Sequence, residues 1–188
     1  MGIVAVIVLL AAPVVPELEL QIGYAHGTDL QLDGGALALG GRLGIDLFDH
    51  FTVSARIGGA AGNDVPMSGN PSTEAAFSGW QALGEVRAHT AGEVQLHAAA
   101  AAGVAQLNSW KPAIGETQAL TGDPALAYQF SAGVRVVPES WRTIALSLEA
   151  TLAHWDGLRP TTDPGTFQQL PAPVTTFSVL AGLVFRIR

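Results

Sequence analysis

The C-terminal stretch decides the fold, and it reads TFSVLAGLVFRIR from Thr176 to Arg188. Every second residue of this stretch is apolar, and these residues are Phe177, Val179, Ala181, Leu183, Phe185 and Ile187. The residues between them are mixed in character: Ser178, Leu180, Gly182, Val184, Arg186 and Arg188. Because side chains along a strand point alternately to its two faces, this period of two predicts a strand with one apolar face and one mixed face.

The same alternation recurs along the chain and predicts eight strands. Their predicted ranges are 17–25, 36–48, 51–61, 77–89, 93–107, 125–137, 141–155 and 176–188. The fifth segment is ambiguous because its centre, 98–102, is all alanine, the best helix former. Val94 and Leu96 alternate with polar neighbours, and Gly103 interrupts any helix. We therefore predict a strand there, with a helix as the alternative.

Short and long connections alternate between the predicted strands. The short ones are 49–50, 90–92 and 138–140, and the long ones are 26–35, 62–76, 108–124 and 156–173. The long segments are rich in Gly, Pro, Asn, Asp and Thr, as is typical of solvated loops. Short turns at one end and long loops at the other are typical of the periplasmic and extracellular ends of an outer-membrane barrel.

The composition indicates a protein whose surface faces lipid. Only 13% of the residues are charged, against about 25% in ordinary soluble domains, and the mean hydropathy is +0.33. Beyond the N-terminus no apolar run approaches the roughly 18 residues of a membrane helix. The net charge of −7 and the single lysine, Lys111, argue against nucleic acid as a partner. The absence of cysteine excludes disulfides and thiolate metal sites.

These observations predict an all-β fold, an eight-stranded antiparallel up-and-down transmembrane β-barrel over 17–188. Residues 1–16 are predicted to lie outside the barrel. The apolar run 3–12, with small residues at Ala11 and Ala12, resembles the end of a secretory signal peptide. The alternative for this segment is a disordered or packed apolar N-terminus.

The mixed face of the strands is expected to line the lumen. A soluble ligand-binding barrel would place the apolar face inside instead. Small residues dominate the mixed face, however, and they suit the crowded interior of an eight-stranded barrel. Charges of both signs share that face, and buried charges persist when they are paired. The predicted lumen network contains Glu19, Arg42, Asp46, Arg56, Glu85, Arg87, Glu93, Arg135, Glu149 and Arg186.

Aromatic residues on the apolar face fall near the strand ends. Tyr24, Trp80 and Tyr128 lie next to the long loops, whereas Phe51 and Phe185 lie at the opposite ends. Such an arrangement is typical of the two aromatic girdles at the interfaces of an outer-membrane barrel. We therefore expect these five residues to mark the two membrane surfaces.

Residues 17–188 resemble the small eight-stranded outer-membrane β-barrels of the OmpA/OmpX kind. The segment LGGRLGIDLFDHFTV, from Leu39 to Val53, resembles the hairpin that such barrels use at the periplasmic side. Gly182, Phe185 and Ile187 match the spacing of the C-terminal signal that the barrel-assembly machinery recognises. The resemblance implies a bacterial outer-membrane location, insertion by that machinery, an N-terminus in the periplasm, and contact with outer-membrane lipid and lipopolysaccharide.

The sequence carries little sign of catalysis. Of the histidines, His50 and His89 lie near the short-turn rim, and His97 is expected in the lumen. Only His154 is placed near the outer rim on the apolar side, and no hydroxyl residue adjoins it in the sequence. A nucleophile and its base must lie within hydrogen-bond reach. We therefore expect no enzyme activity, no cofactor and no metal site.

The leading functional hypothesis is a structural or surface-interaction role that displays four extracellular loops. The alternatives are a narrow channel for small solutes and, third, a lipid-modifying enzyme. The loops are acidic, so a surface or membrane protein partner is expected to be cationic or bridged by cations. The acidic residues in or near the loops are Asp29, Asp33, Asp64, Glu74, Glu116, Asp123, Asp156 and Asp163, against Lys111 and Arg159.

Overall fold

The computed structural model describes residues 14–27, 35–48, 50–62, 65–66, 74–111, 124–141, 143–155 and 174–187. Eight long strands lie within these ranges: β1 (Val14–Gly27), β2 (Gly35–Leu47), β3 (Phe51–Ala61), β4 (Glu74–His89), β5 (Val94–Lys111), β6 (Ala125–Val136), β7 (Ile144–Trp155) and β8 (Val174–Arg186). A two-residue strand, Val65–Pro66, pairs with the start of β4. Among the described residues, no helix is long and apolar enough to cross a membrane.

The strands form a closed antiparallel barrel. Each strand pairs with the next one along the chain, and β1 pairs with β8 to close the ring. Closure leaves none of the eight described strands with an unpaired edge, which removes the usual liability of a β-sheet. The predicted all-β, eight-stranded up-and-down barrel is therefore confirmed.

Several strand ends differ from the predicted ones. β1 begins at Val14 rather than Glu17, because Val14 to Pro16 pair with the last residues of β2. β7 begins only at Ile144, because Trp141 donates its backbone N–H to Pro138 in a turn, at 2.8 Å. The first residues of the chain, 1–13, lie outside the described residues.

The alanine run of β5 is extended, as predicted. Ala98 to Ala102 pair with β4 on one side and with β6 on the other. Ala99 and Ala101 are buried, whereas Ala98, Ala100 and Ala102 are exposed. Pairing on both sides therefore overrides the helix propensity of this segment.

The two rims of the barrel differ in the length of their connections. Residues 48–50, 90–93 and 137–143 join strands at one rim, which we call the short-turn rim. Residues 28–34, 62–73, 112–124 and 156–173 join strands at the other, which we call the loop rim. Because every strand runs from one rim to the other, the register assigns each side chain to a level in the barrel.

The barrel is apolar outside and polar inside. Ile57 is 67% exposed on the outer face, whereas Arg87 is 1% exposed in the lumen. The exposed large hydrophobic side chains occur on all eight strands, including Leu20, Leu43, Val86, Leu96, Phe130, Leu148 and Val179. A continuous apolar exterior of this kind has lipid as its natural solvent.

Candidate functional site

Glu149 of β7 lies at the centre of a buried charge cluster in the lumen. Its carboxylate accepts hydrogen bonds from three guanidinium groups on the opposite strands: Arg56 at 2.6 Å, Arg87 at 2.7 Å and Arg42 at 3.0 Å. The Nε2 atom of His97 lies 3.3 Å from the same carboxylate. One acidic side chain from β7 therefore contacts three basic ones from β2, β3 and β4.

Arg42 connects Glu149 to two further carboxylates. Its Nη1 atom donates to Glu19 of β1, and its Nε atom lies 2.8 Å from Glu85 of β4. Glu19 also accepts hydrogen bonds from Ser147 at 2.6 Å and from Gln21 at 2.9 Å. Each carboxylate at this level is thus both ion-paired and hydrogen-bonded, which a buried charge requires.

A second layer of ion pairs lies closer to the short-turn rim. Arg135 donates to both oxygens of Glu17 at 3.0 Å. Arg186 lies 2.9 Å from Glu17 and donates to Asp46 at 2.8 Å, and His89 lies 3.1 Å from Asp46. The Nη2 atom of Arg135 lies 3.6 Å from Glu19, which joins this layer to the first one.

We call these side chains together the ion-pair cluster. Its members are Glu17, Glu19, Asp46, Glu85 and Glu149, with Arg42, Arg56, Arg87, Arg135 and Arg186. The numbers of carboxylates and guanidinium groups are equal, so the ionised cluster carries no net charge. The planar guanidinium group suits such bridging because it can donate to several carboxylates at once. The cluster occupies the lumen between the short-turn rim and the middle of the barrel.

One predicted member of the lumen network, Glu93, is placed wrongly by the sequence pattern. Glu93 lies in the exposed turn before β5, where its carboxylate accepts a hydrogen bond from the backbone N–H of Glu139 at 3.2 Å. The neighbouring Gly92 has a φ of 109°, which bends the chain before the alternation of β5 begins. The other nine predicted residues lie buried in the lumen.

Glu17 also belongs to the cluster, although it is not among the residues predicted for the lumen network. It lies on the same face of β1 as Glu19, two residues away, so the alternation along this strand could have indicated its place in the lumen. Arg135 and Glu149 belong to the same cluster, but they are linked through Glu19 and Arg42 rather than directly. That link depends on the stagger of the strands, which the alternation does not reveal.

The lumen changes character toward the loop rim. Gln81 donates to Gln129 at 2.9 Å above the charges, and small or apolar side chains follow. We call this half of the lumen the loop-side compartment. Its buried apolar residues are Ala25, Ala36, Ala38, Leu83, Ala101, Ala105, Ala127, Ala153, Trp155 and Leu180. Trp155 extends from β7 to β4, where its indole ring leaves no space for a Cβ at Gly79.

The aromatic residues lie at two levels on the outer face. Tyr24 and Tyr128 are exposed near the loop rim, and Trp80 on the same side donates its indole N–H to Gln106 at 3.2 Å. Phe51 is 50% exposed at the start of β3, on the short-turn rim. Phe185 is half-buried near the end of β8, on that same rim. Trp141 adds a further exposed aromatic side chain there.

Gly182, in the predicted assembly signal, also has a role in the lumen. A Cβ at this position would lie 2.4 Å from Ser147 Oγ and 2.9 Å from Glu19 Oε1. Ser147 donates to Glu19 at that place, so the glycine leaves room for a hydrogen bond of the ion-pair cluster. Phe185 of the same signal projects outward, and Ile187 lies just past the end of β8. The Ile187 backbone N–H donates to Pro16 at 2.9 Å.

We expect Gly182→Ala to destabilise the barrel by about 1–3 kcal/mol, because the displaced Ser147 hydroxyl leaves a buried acceptor without its donor. Urea unfolding in detergent micelles measures the change. Gly84→Ala is the matched control, since its Cβ would lie 3.9 Å from the nearest neighbouring atom. Equal midpoints for the two variants would contradict the steric role of Gly182.

His154 has a hydroxyl partner on the neighbouring strand. Thr175 is its cross-strand neighbour on β8, and His154 Nδ1 lies 3.0 Å from Thr175 Oγ1. The ring of Tyr128 lies against the imidazole, with 4.7 Å between the ring centroids. The partner comes from the next strand, so the residues adjacent to His154 in the sequence do not reveal it.

Comparisons with known proteins identify the fold. The sequence matches no family model and no curated protein. The structure is similar to the crystal structure of Neisserial surface protein A, NspA, with a TM-score of 0.61 and 9% identity over 94% of this chain and 99% of that one. It is also similar to the outer membrane enzyme PagL, with a TM-score of 0.56 and 13% identity over 88% of this chain and 97% of that one. The chain therefore has the fold of the small eight-stranded outer-membrane β-barrels, like those of OmpA and OmpX.

Proposed function

We propose that this protein is a closed scaffold in a bacterial outer membrane that presents its long connections to a partner at the cell surface. The observation that carries the proposal is the ion-pair cluster. It crosses the lumen at mid-barrel level, from Glu149 on β7 to Arg42 and Arg56 on β2 and β3. Eight strands leave an interior just wide enough for side chains, so a cluster of this size blocks a continuous water path.

The asymmetry of the rims supports an orientation. Outer-membrane barrels have short periplasmic turns and longer extracellular loops. The proposal accordingly places the short-turn rim and the N-terminus in the periplasm, and the loop rim outside. Insertion through the barrel-assembly machinery and contact with lipopolysaccharide are parts of the same proposal. The acidic character of the long connections favours a cationic or cation-bridged partner.

Shortening the long connections tests the proposal. We expect replacement of 156–173 by a short Gly-Ser turn to leave the barrel folded but to abolish recovery of a partner in pull-downs from intact outer membranes. Connecting segments tolerate changes of length because the entropic cost of closing a loop depends only weakly on its length. The matched control replaces the short turn 90–93, which should leave recovery unchanged.

Surface labelling provides the second arm of this experiment. The chain has no cysteine, so a single introduced one can be labelled cleanly. Gly165→Cys should react with a membrane-impermeant maleimide on intact cells, whereas Ala91→Cys should react only after lysis. The reverse labelling pattern, or partner recovery that survives loss of the long connections, would contradict the proposal.

A second candidate function, a lipid-modifying enzyme, rests on the pair His154 and Thr175. The hydroxyl of Thr175 lies 3.0 Å from the imidazole of His154, which is within the distance that a nucleophile and its general base require. The pair lies near the loop rim, and Tyr128 packs against it. Lipid analysis of cells that express the wild type or Thr175→Val distinguishes this function, because only an enzyme would change the lipid profile.

A further inference from the structure

A buried histidine, His97, lies beside the ion-pair cluster, and the scaffold role leaves it without a function. Its side chain is 1% exposed and projects into the lumen from β5, a strand that contributes no member to the cluster. The imidazole ring lies against the backbone of β6, since a Cβ at Gly133 would be 2.8 Å from His97 Cε1. On the other side, His89 of β4 is its cross-strand neighbour. The ring is therefore enclosed by protein and removed from bulk water.

The two ring nitrogens of His97 have different surroundings. Nε2 lies 3.3 Å from Glu149 Oε2, and because an ionised carboxylate can only accept, Nε2 carries the hydrogen of this bond. Nδ1 is buried, and no described residue supplies it with a hydrogen-bond partner. A protonated imidazole carries an N–H on both nitrogens. Protonation of His97 would therefore bury a charged donor that has no acceptor, which costs free energy.

The charges around His97 also oppose its protonation. Glu149 of β7 is the carboxylate in contact with the ring, and it already faces three guanidinium groups of the cluster. The other titratable or charged groups beside the ring are Arg87 and His89 on β4 and Arg135 on β6. The cluster is balanced without the histidine. A proton on His97 would therefore leave one buried positive charge uncompensated, which is the costly state of a buried ionic group.

We propose that His97 is a pH-sensitive switch that makes the barrel less stable in acid. In the unfolded chain the imidazole lies in water and takes up a proton at about pH 6.5. In the folded protein it stays neutral below that pH, so the unfolded state binds one proton more. Stability therefore falls as the pH falls through about 6.5, and above about pH 7.5 the effect vanishes. The proposal goes beyond the scaffold role, because it makes the stability of the scaffold depend on acidity.

Urea unfolding in micelles at two pH values tests the proposal. Between about pH 7.5 and about pH 5.5, one histidine that stays neutral when folded raises the unfolding equilibrium constant about tenfold. We expect the wild type to show this tenfold increase in excess of whatever change His97→Gln shows. Glutamine keeps a donor for Glu149 but does not titrate. His50→Gln is the matched control: it removes an exposed histidine at the short-turn rim and should keep the wild-type pH dependence.

A second measurement reads the ring in the wild type and does not require that the variant folds. Long-range ¹H–¹⁵N NMR of the protein with ¹⁵N-labelled histidine, in micelles, distinguishes the neutral Nε2–H ring from the protonated one. At about pH 5.5 we expect the neutral pattern for His97 and the protonated pattern for the exposed His50. The His97 signal is assigned through its contact with the Gly133 backbone, which lies against His97 Cε1.

Three results would overturn the proposal. The first is the same pH dependence of unfolding in the wild type and in folded His97→Gln. The second is the protonated pattern for His97 in the folded protein at about pH 5.5. The third is loss of the pH dependence in His50→Gln, which would locate the effect at the short-turn rim instead of the lumen.

Discussion

The Glu149→Gln protein is expected to unfold at a much lower urea concentration than the wild type, with a loss of about 3–5 kcal/mol in the free energy of unfolding. The substitution conserves shape but removes the charge that faces Arg42, Arg56 and Arg87. Without that charge, these three guanidinium groups have only the carboxylates of Glu19 and Glu85 as buried counter-charges. Removing one partner of a buried ion pair is costly because it leaves an uncompensated charge. Reversible unfolding in micelles or lipid vesicles, followed by tryptophan fluorescence, measures the loss.

Two further proteins control this experiment. Glu93→Gln makes the same chemical change in an exposed turn and should be close to neutral. The double variant Glu149→Gln/Arg56→Gln restores charge balance in the cluster and should lose less than the sum of the two single losses. Additive losses would show that the two side chains act independently and would contradict the description of the cluster as one unit.

The second large effect is expected on the outer face. Leu148→Arg should destabilise the barrel in a lipid bilayer by about 2–4 kcal/mol, because a charge near the bilayer midplane has neither water nor a partner. Leu148 lies near the middle of β7 and is 51% exposed. Unfolding from phospholipid vesicles by guanidinium chloride measures the difference in free energy.

Val94→Arg is the control for position. Val94 is the first residue of β5 and is 58% exposed at the short-turn rim. A charge near the membrane interface costs only about 0–1 kcal/mol. If Leu148→Arg were no more destabilising than Val94→Arg, the outer face of β7 would not be in contact with the lipid core.

The alternation of side chains made the fold and the two faces predictable. A strand residue has only two directions available, so Arg42 and Leu43 could be assigned to opposite faces from parity alone. Even the alanine run of β5 followed this pattern, because its flanks carried enough alternation. The pairing of side chains from different strands was harder to predict from the sequence. The pairing of His154 with Thr175 requires the register of β7 against β8, which the alternation alone does not give.

The geometry across the lumen was the least predictable part. Glu149 meets Arg42 and Arg56 because the strands tilt and stagger as the barrel closes, and a sequence pattern carries no signal of that stagger. Trp155 reaches Gly79 on an opposite strand for the same reason. Glu93 was misplaced because the backbone decides where a strand begins: the chain turns at Gly92, two residues before Val94, so Glu93 lies outside the strand.

The position of Glu149 late in the chain has a consequence for biogenesis. Arg42, Arg56 and Arg87 belong to β2, β3 and β4, and the carboxylate they share arrives only with β7, up to 107 residues further along the chain. An intermediate that lacks β7 and β8 therefore cannot neutralise these arginines from its own strands in the native manner. The strands β1 to β6 already carry four carboxylates and four guanidinium groups of the cluster, and β7 and β8 add one of each, so the arginines gain their last native ion pairs, rather than their first counter-charges, when the ring is completed.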